Sequence, residues 1–368
     1  MRITLPLVSL VIAACSQGAT GSPPATAFNT EERAVFNEPW AMTFLPGGAS
    51  ALITEKAGKL FLVDTASGGK TEVASLPKPA YGGQGGLGDV VVHPDFANNR
   101  FVYLSWVEEG QGGFGAVVGR ATLGAGPAPK LEGLQIIWRQ EPKVSGRGHF
   151  GHRMAFGPDG MLYVSSGERQ KFDPAQDMNG NLGKIVRLSD GGMIPSDNPG
   201  YDQGRIRAQI WSSGHRNPLG LAFDPEGRLW NTEMGPAGGD ELNLVKKGAN
   251  YGYPVKSNGS HYDGRDIPDH VAGDGFEAPK AWWNPAISPG SLMIYSGSLF
   301  PAWKGDAFIG ALSGEALVRV DLDGETAKKA EVWAMKARIR EVEQGPDGAI
   351  WLLTDGGSGK LLKLTPKG

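Results

Sequence analysis

A turn followed by a strand recurs six times in this sequence and constrains the fold more than any other feature. Each copy has a proline within a turn of small, acidic or glycine residues, and then a run of alternating apolar residues. Proline sets the φ angle of the turn, glycine accepts positive φ, and the alternation predicts a half-buried strand. The copies are FLPGGASALIT (44–54), VHPDFANNRFVYLS (92–105), FGPDGMLYVSS (156–166), FDPEGRLWNTE (223–233), LFPAWKGDAFIGAL (299–312) and QGPDGAIWLLTD (344–355).

The spacing of these repeats predicts an all-β fold, a six-bladed β-propeller. The prolines at positions 46, 94, 158, 225, 301 and 346 are 48, 64, 67, 76 and 45 residues apart. Each interval has room for four short antiparallel strands with their loops, and six such sheets can surround a central channel. A β-sandwich could also hold alternating strands, but the six matching turns would then be a coincidence.

Composition narrows the class of protein further. The 36 Lys and Arg residues nearly balance the 39 Asp and Glu residues, so no nucleic-acid or acidic-membrane partner is indicated. The 56 glycines and 26 prolines alternate with apolar runs along the chain. This distribution favours a turn-rich folded β protein over disorder.

The N-terminal segment predicts export. Arg2 precedes an apolar run at 3–14 that is too short to cross a membrane as a mature helix, as in a secretory signal. The run ends in IAAC (12–15), which resembles the bacterial lipoprotein signal, where cleavage leaves the cysteine as a lipidated N-terminus. The alternative is that Cys15 is simply a small residue within a cleaved peptide.

The signal defines the predicted domain boundaries. Residues 1–15 are the signal peptide, residues 16–28 are a small, polar, proline-containing tether, and residues 29–368 are the catalytic propeller. Ser16 resembles the residue that sorts a lipoprotein to the outer membrane, so we expect a periplasmic protein anchored there by Cys15. Since Cys15 is the only cysteine, the propeller has no internal disulfide.

Loops at one end of a propeller channel usually carry its chemistry, whereas the blades form the scaffold. Six loops are unusually rich in glycine and in polar or charged residues. They are GGQGGLGD (82–89), RGHFGHR (147–153), GERQKFDPAQDMN (167–179), SGHRNPLG (213–220), EMGPAGGDELN (233–243) and ARIREVEQ (337–344). Together they predict an anion-binding pocket that can hold a metal and that contains one good base.

The residue types in these loops indicate the kind of ligand. Arg216, Arg338 and Arg340 suit a ligand with several carboxylates or phosphates, because guanidinium pairs with carboxylate through two parallel bonds. The Gly235-Pro236 turn offers carbonyl oxygens, which calcium prefers when a bound cofactor and water complete its shell. The alternative is that the arginines form structural salt bridges between blades.

These loops resemble those of the glucose/sorbosone dehydrogenase family, the soluble aldose sugar dehydrogenases that use pyrroloquinoline quinone (PQQ) and calcium. The similarity covers about residues 30–365 and rests on a combination of motifs. They are GGQGGLGDVVVHPDF, HFGHRMAFGPDG, AQDMNGNLGKIVRL, GHRNPLGLAFDPEG, GPAGGDELN and RIREVEQGPDG. The family fold is a six-bladed propeller with PQQ at the top of the channel, which agrees with the repeat count.

The resemblance implies roles for individual residues. His149 is at the position of the general base, and Glu168 is at that of the acid that orients it. Gly235 and Pro236 are at the positions whose carbonyls hold the active-site calcium, with Asp240 close by. The positions that contact PQQ are Gln84, Gln176, Arg216, Asn217, Arg338 and Arg340, and Trp283, with Trp282, lies in the segment that supplies aromatic contacts.

Other positions depart from the family pattern or are expected to have no catalytic role. His152 is interpreted as a neighbour of the base, and His215 as a structural residue. Glu168 replaces the commoner Asp, which lengthens the arm to the histidine. Ser313 stands where some members have a lysine that reaches the quinone oxygens, and Asn284 stands where the best-known members have an aromatic residue.

The resemblance therefore implies PQQ- and calcium-dependent oxidation of an aldose at C1 to the lactone, with electrons passed on to an acceptor. Two alternatives stay open. A calcium-dependent propeller hydrolase, such as a lactonase, could use a histidine and a metal to activate water, but it explains Gln84 and the three arginines poorly. A lipid-anchored sugar-binding or adhesion propeller without catalysis would fit the missing lysine at Ser313.

Overall fold

The computed structural model describes residues 27–367, which form six four-stranded antiparallel sheets. This arrangement confirms the predicted six-bladed β-propeller. The predicted signal segment, with Cys15, and residues 16–26 of the tether lie outside the described residues. Within 27–367 no helix combines the length and apolar character needed to cross a membrane.

Five of the six blades are built from four consecutive strands each. Strand β1 (Phe28–Phe36) comes first in the chain and belongs to the sixth blade. Blade 1 contains β2 (Pro39–Phe44), β3 (Ser50–Glu55), β4 (Lys59–Asp64) and β5 (Lys70–Glu72). Blade 2 contains β6 (Leu87–Val92), β7 (Phe101–Gly110), β8 (Gly113–Leu123) and β9 (Leu131–Arg139). Blade 3 contains β10 (Gly151–Phe156), β11 (Leu162–Ser166), β12 (Lys184–Leu188) and β13 (Ile210–Ser213).

The second half of the ring repeats this pattern. Blade 4 contains β14 (Pro218–Phe223), β15 (Leu229–Glu233), β16 (Asp240–Val245) and β17 (Ala281–Trp283). Blade 5 contains β18 (Pro289–Ile294), β19 (Ala307–Ala311), β20 (Ala316–Asp323) and β21 (Thr326–Ala334). Blade 6 contains β22 (Ile339–Gln344), β23 (Ile350–Thr354) and β24 (Gly359–Pro366), followed by β1. The helices are α1 (Phe96–Asn99) and the 3₁₀ turns Asp173–Ala175, Tyr201–Gln203, Arg207–Gln209 and Pro301–Trp303.

The six repeated turns occupy equivalent places in the fold. Each of the six prolines lies in the connection between the first and second strands of its blade. The second strands, however, are not half-buried as the alternation predicts. Strands β11, β15 and β23 are buried at every position, because neighbouring blades cover both faces of each sheet. Their polar residues, such as Ser165 and Asn231, are therefore also buried.

Strand β1 closes the ring. It pairs antiparallel with β24, from Phe28 opposite Pro366 to Phe36 opposite Gly359, so the last sheet contains both ends of the described chain. Phe28 also packs edge-on against Trp303 of blade 5 and Trp333 of β21. Pairing the ends of the chain in one sheet leaves no open gap in the ring.

Arg153 on β10 is a buried arginine that connects the six blades. Its side chain is 6% exposed, and its guanidinium contacts each of the other five blades. Those contacts are the ring of Trp40, Asp89 Oδ1 at 3.3 Å, the Leu219 carbonyl at 2.8 Å, the Gly290 carbonyl at 2.7 Å and Glu341 Oε2 at 2.5 Å. This residue fixes the strand that follows the loop containing His149.

Candidate active site

His149 and Glu168 form a buried pair in two loops of blade 3. His149 lies just before β10 and Glu168 just after β11, and His149 Nδ1 is 2.5 Å from Glu168 Oε1. A carboxylate can only accept, so the hydrogen of the imidazole lies on Nδ1 and Nε2 is left as an acceptor. The structure therefore brings together the two residues that were predicted to be the base and its orienting acid.

The backbone holds the carboxylate of Glu168 in place. Its Oε1 also accepts the N–H of Gln170 at 2.9 Å, and its Oε2 accepts those of Lys171 at 2.5 Å and Phe172 at 2.7 Å. The loop after β11 thus wraps around the carboxylate. Three backbone donors and one imidazole fix its orientation, which in turn fixes that of His149.

Burial and neighbouring charge keep this pair in the states that a base needs. Burial, the largest effect, lowers the pKa of His149, and Arg216 lowers it further, against the opposing influence of Glu168. For Glu168, burial raises the pKa, but His149, the Phe172 N–H and Arg216 together lower it below the usual value. At neutral pH the histidine is neutral and the glutamate is ionised.

Unfavourable backbone conformations are concentrated in the two segments that contain His149 and Glu168. Of the twelve non-glycine residues with positive φ in residues 27–367, five lie here: His149, His152, Arg169, Gln170 and Phe172. Such conformations cost free energy for side chains with a Cβ, and they concentrate where function requires a particular geometry. Strain at this density supports the assignment of these loops to the active site.

Arg169, which sequence analysis did not single out, positions the histidine loop. Its side chain is fully buried and donates to the carbonyls of Gly148 at 2.8 Å and Gly146 at 2.7 Å. The guanidinium also lies 3.7 Å from the ring centroid of Phe150. The sequence signal that could have identified Arg169 is its position directly after Glu168.

A cavity of about 370 Å³, which we call the cradle, opens above Arg153 and is lined by Gln84, Met234, Ser288, Arg338 and Arg340, among others. Arg338 Nε and Arg340 Nη2 both pair with the carboxylate of Asp355, at 3.0 and 2.9 Å. Ile339 between them is fully buried, so the side chains of Arg338 and Arg340 lie on the same face of this segment. Because one carboxylate pairs with two guanidinium groups, this wall of the cradle carries a net positive charge.

Gln84 connects the cradle to the base. Its side-chain carbonyl accepts the backbone N–H of His149 at 2.7 Å, which leaves the amino group of its amide for a ligand. Its own backbone N–H donates to the Arg147 carbonyl at 2.8 Å. The glycine-rich loop is thus fastened to the histidine loop at two points.

A second cavity of about 240 Å³, which we call the aromatic cleft, opens beside the cradle. His149, Glu168, Arg216 and Pro236 line it together with four aromatic side chains that sequence analysis did not identify. These four are Phe172, Tyr253, His261 and Tyr262. Phe172 and Tyr262 are 44% and 76% exposed, which is unusual for aromatic rings and indicates a surface open to a ligand.

Arg216 lines the aromatic cleft, and both Arg216 and Asn217 contact Met234, which lines the cradle. Arg216 donates to the carbonyls of Gly235 at 2.6 Å and Met234 at 3.0 Å, and to the Tyr262 hydroxyl at 3.2 Å. Arg216 Nε and Asn217 Oδ1 are buried and have no hydrogen-bond partner among the described residues. Buried polar atoms are nearly always paired, so these two point to a ligand.

The three residues predicted to lie at the calcium site, Gly235, Pro236 and Asp240, make different contacts. The Gly235 carbonyl faces Arg216, and Pro236 lines the aromatic cleft. Asp240 is not placed as a ligand, because its oxygens accept the N–H groups of Gly235 at 2.8 Å, Ile287 at 2.7 Å and Ser288 at 2.6 Å. Within 27–367 no group of three or more His, Cys, Asp or Glu side chains is arranged to hold a metal.

Two residues predicted to contact the cofactor lie elsewhere. Gln176 donates to the carbonyls of Tyr253 at 2.7 Å and Asn250 at 3.1 Å and accepts from Asn250 at 2.7 Å, so both ends of its amide are used behind the cleft. Trp283 lies on the outer strand β17 and packs in an apolar cluster with Trp230. Its partner Trp282 is 41% exposed on the same outer strand. Trp283 thus packs in the core and lines neither the cradle nor the aromatic cleft, and Gln176 positions Tyr253.

The two remaining histidines of these loops are structural. His152 stacks on Trp40, its Nδ1 lies 2.7 Å from Ser105 Oγ, and burial lowers its pKa to about 3. His215 is fully buried between Glu233, 2.9 Å from Nδ1, and Ser212, 2.8 Å from Nε2. The interpretation of both residues as other than the base agrees with these contacts.

An acidic residue at or just beyond the second strand supports the upper loops in several blades. Glu55 accepts the Asn37 N–H, Glu233 accepts the Arg216 N–H, and Asp355 pairs with both cradle arginines. Glu168 is the member of this set in blade 3. The sequence carries this signal, since an acid follows each of these repeat strands, in LITE, SSGE, WNTE and LLTD.

Comparisons with known proteins identify the family to which the sequence and the fold are similar. Residues 36–363 match the sequence profile of the glucose/sorbosone dehydrogenase family. Aldose sugar dehydrogenase YliI of Escherichia coli is 38% identical over 365 residues, which span 97% of this chain and 98% of that protein. The apo crystal structure of the soluble E. coli aldose sugar dehydrogenase matches 92% of this chain and 100% of that one, with a TM-score of 0.88. The PQQ-bound aldose sugar dehydrogenase of Streptomyces coelicolor is 28% identical and matches with a TM-score of 0.77, over 94% of this chain and 100% of that one.

Proposed function

The chain belongs to the glucose/sorbosone dehydrogenase family and is an oxidoreductase of the sugar dehydrogenase class, and from this premise we propose that it oxidises aldose sugars at C1 to the lactone with PQQ and calcium. The observation that carries the proposal is the neutral, buried His149 beside two cavities, one cationic and one aromatic. Family membership favours this reaction over the hydrolase and adhesion alternatives.

The cradle suits the cofactor in shape and charge. PQQ is flat and carries three carboxylates, and burying these without counter-charges would be costly. Arg338 and Arg340 line the cavity. Arg216 Nε and Asn217 Oδ1 are an unpartnered donor and acceptor on two residues that contact Met234 in the cradle wall. These residues, with Gln84, would hold PQQ.

The Gly235-Pro236 turn suits calcium through its carbonyl oxygens. The Gly235 carbonyl already accepts a cationic donor, Arg216, and a carbonyl oxygen has a second lone pair for a cation. Asp240 holds the turn in place by accepting the Gly235 N–H. Hard oxygen donors of this kind match the preference of calcium, with water and the cofactor as further ligands.

When bound, PQQ would supply the acceptor for the hydride that leaves C1, and calcium would supply Lewis-acid polarisation of that acceptor. The task left to the protein is to remove the proton of the C1 hydroxyl. His149 Nε2 is the acceptor, since Nδ1 donates to Glu168. As the imidazole gains the proton, the ionised Glu168 stabilises its new positive charge.

The aromatic cleft is where we place the sugar. His149 and Glu168 lie in its wall, and Phe172, Tyr253 and Tyr262 offer ring faces to the apolar C–H surface of a pyranose. The Arg216 contact to the Tyr262 hydroxyl connects this cleft to the cofactor boundary. A sugar there would present its C1 hydroxyl to His149.

Cofactor reconstitution tests the proposal. Purified protein freed of metal and cofactor is mixed with PQQ and calcium, and reduction of an artificial dye is followed with a panel of aldoses. We expect dye reduction only when PQQ, calcium and an aldose are all present. Removing calcium with a chelator should abolish it. Dye reduction without PQQ, or lactone hydrolysis instead of aldose oxidation, would show that the proposed reaction is wrong.

We also propose that the enzyme works in the periplasm, anchored to the outer membrane by a lipid on Cys15. The support is the IAAC (12–15) junction and the polar segment after it. An anchored enzyme at that location would meet sugars that cross the outer membrane.

A further inference from the structure

We propose that Lys56 supplies a cofactor-binding cation to the cradle, in place of the lysine that the family resemblance leads one to expect at Ser313. The inference rests on the proposed PQQ function and adds a residue to its site. Lys56 follows β3 in blade 1, far in sequence from every motif that identified the cofactor residues. Its side chain lines the cradle together with Arg338 and Arg340.

Ser313 does not supply the missing charge. Its hydroxyl lies 2.8 Å from Ser288 Oγ and donates to the Ala286 carbonyl at 3.3 Å, so it is used in contacts with the loop that precedes β18. The blade 5 wall of the cradle is formed by Ser288 and Leu312, which carry no charge. The basic groups instead come from blades 6 and 1, which are neighbours in the ring.

The backbone of Lys56 is held on both sides. Its N–H donates to the Glu38 carbonyl at 3.0 Å, and its carbonyl accepts the Leu87 N–H at 2.9 Å. The side chain is 17% exposed, and its Nζ donates to the Gly83 carbonyl at 3.0 Å, next to Gln84. The ammonium therefore has a defined place at the rim beside the glycine-rich loop.

The charge of Lys56 is only weakly neutralised. Its acidic partner is Glu38, whose Oε1 lies 3.4 Å from Nζ, at the long end of hydrogen-bond distances. The other oxygen of Glu38 accepts the Tyr81 hydroxyl in a short bond, so this carboxylate is shared. The cradle wall then has three basic residues against two acidic ones, Glu38 and Asp355. An anionic ligand would shift Lys56 from Glu38 toward itself, since its flexible stem permits that movement.

Lys56 also has a purely structural interpretation, in which it holds the glycine-rich loop through Gly83. The two roles make opposite predictions for the acidic partner. If the charge of Lys56 acts on the ligand, neutralising Glu38 frees that charge and strengthens binding. If the pair serves only to hold the loop, neutralising Glu38 weakens binding or leaves it unchanged.

The experiment measures the dissociation constant of PQQ with calcium present, by quenching of tryptophan fluorescence, at low and high salt. Trp40 lines the cradle and provides a reporter. For Lys56→Met we expect about 10- to 100-fold weaker binding with a smaller salt dependence, the size of one partly shielded charge contact. Lys56→Arg should stay within about threefold of wild type, and Glu38→Gln should bind more tightly. The matched control is Lys59→Met, whose lysine is 52% exposed and pairs with Glu72.

The outcomes separate the inference from the function on which it rests. If wild type does not bind PQQ, the proposed function fails. If wild type binds but Lys56→Met matches it within about twofold, only the role of Lys56 is wrong. Weaker or unchanged binding in Glu38→Gln would likewise overturn the inference, because the pair would then serve only to hold the loop. Thermal unfolding shows whether Lys56→Met is misfolded. If it is, the PQQ dissociation constants of Glu38→Gln and Lys56→Arg decide whether the charge of Lys56 acts on the ligand.

Discussion

Replacing Glu168 with glutamine tests the proposed mechanism most directly, because it removes a charge and changes almost no volume. In the wild type the carboxylate accepts the Nδ1 hydrogen of His149 at 2.5 Å, and both side chains are nearly inaccessible, at 1% and 6% exposure. The glutamine in Glu168→Gln keeps one acceptor oxygen, which can still meet the N–H groups of Lys171 and Phe172. Its NH₂ group then faces His149.

The magnitude follows from the lost charge. The imidazole becomes positive when it takes the sugar proton, and a buried hydrogen bond to a charged group is worth about 1.5–3 kcal/mol. Losing it should lower the rate about 10- to 150-fold. The loss grows if the amide NH₂ donates to Nδ1, because the imidazole hydrogen then moves to Nε2 and removes the acceptor.

The assay is the pH dependence of kcat/KM for an aldose with the reconstituted enzyme. Activity requires neutral His149, so the rate falls as pH falls through the pKa of that residue. The hydrogen bond and charge of Glu168 raise that pKa, although burial keeps it below the usual value. Removing them lowers the pKa further. In Glu168→Gln the acidic limb should therefore move to lower pH while the plateau falls.

Two results would refute this reasoning. A plateau within about threefold of wild type would mean that the carboxylate does not stabilise a charged base. A lower plateau with an unmoved acidic limb would mean that another group controls the titration. Glu168→Asp is the matched control, since it keeps the charge at a shorter reach, and it should retain more activity than Glu168→Gln. Circular dichroism of both variants checks that the propeller is intact.

Four further predictions concern other parts of the molecule. His149→Ala should bind PQQ nearly as wild type but lose turnover about 10²–10⁴-fold, whereas His152→Ala should lose far less; equal losses in dye-reduction assays would reassign the base. Arg340→Ala should weaken PQQ binding by about 2 kcal/mol in a calorimetric titration, because a carboxylate of the bound cofactor would lose a counter-charge in the cradle; an unchanged dissociation constant would remove the arginine from the site. Arg153→Ala should lower the free energy of unfolding by about 3–5 kcal/mol in a denaturant titration, since it leaves buried acids without their partner, and a loss below about 1 kcal/mol would contradict its role between the blades. Native protein should fractionate with membranes and carry a lipid on Cys15, as mass spectrometry of its N-terminus can show, and a mature N-terminus elsewhere would exclude the anchor.

The contrast between Arg338 and Trp283 shows how far sequence reasoning reached into the site. Arg338 and Arg340 alternate along a strand, so their shared face follows from local geometry alone, and the structure confirms it with Asp355 between them. Trp283 lies in a segment whose pairing partner is Asp240, more than forty residues earlier. Nothing local says which side of that strand packs inward, and the ring lies in the core.

Hydrogen bonds explain why Gln176 and Asp240 are supporting residues in the structure, although the sequence suggested that they are ligands. Gln176 and Asp240 are polar residues in the predicted loops, and composition alone cannot distinguish a ligand from a support. In the folded chain Asp240 is surrounded by three backbone donors, and Gln176 is held by Asn250 and Tyr253. Backbone N–H groups converge on a side chain only after the loops have packed.

The sequence by itself determined the six blades, because each turn is a local signal of proline, glycine and alternating apolar residues that needs no distant partner. It also identified the loops that contain the base, since glycine and charge are concentrated there. Only the tertiary structure decided that β1 closes the ring by pairing with β24, that Lys56 lines the same cavity as Arg340, and that an aromatic cleft opens beside His149. These features join residues that are distant in the chain, and the packing of whole blades, which no short stretch encodes, brings them together.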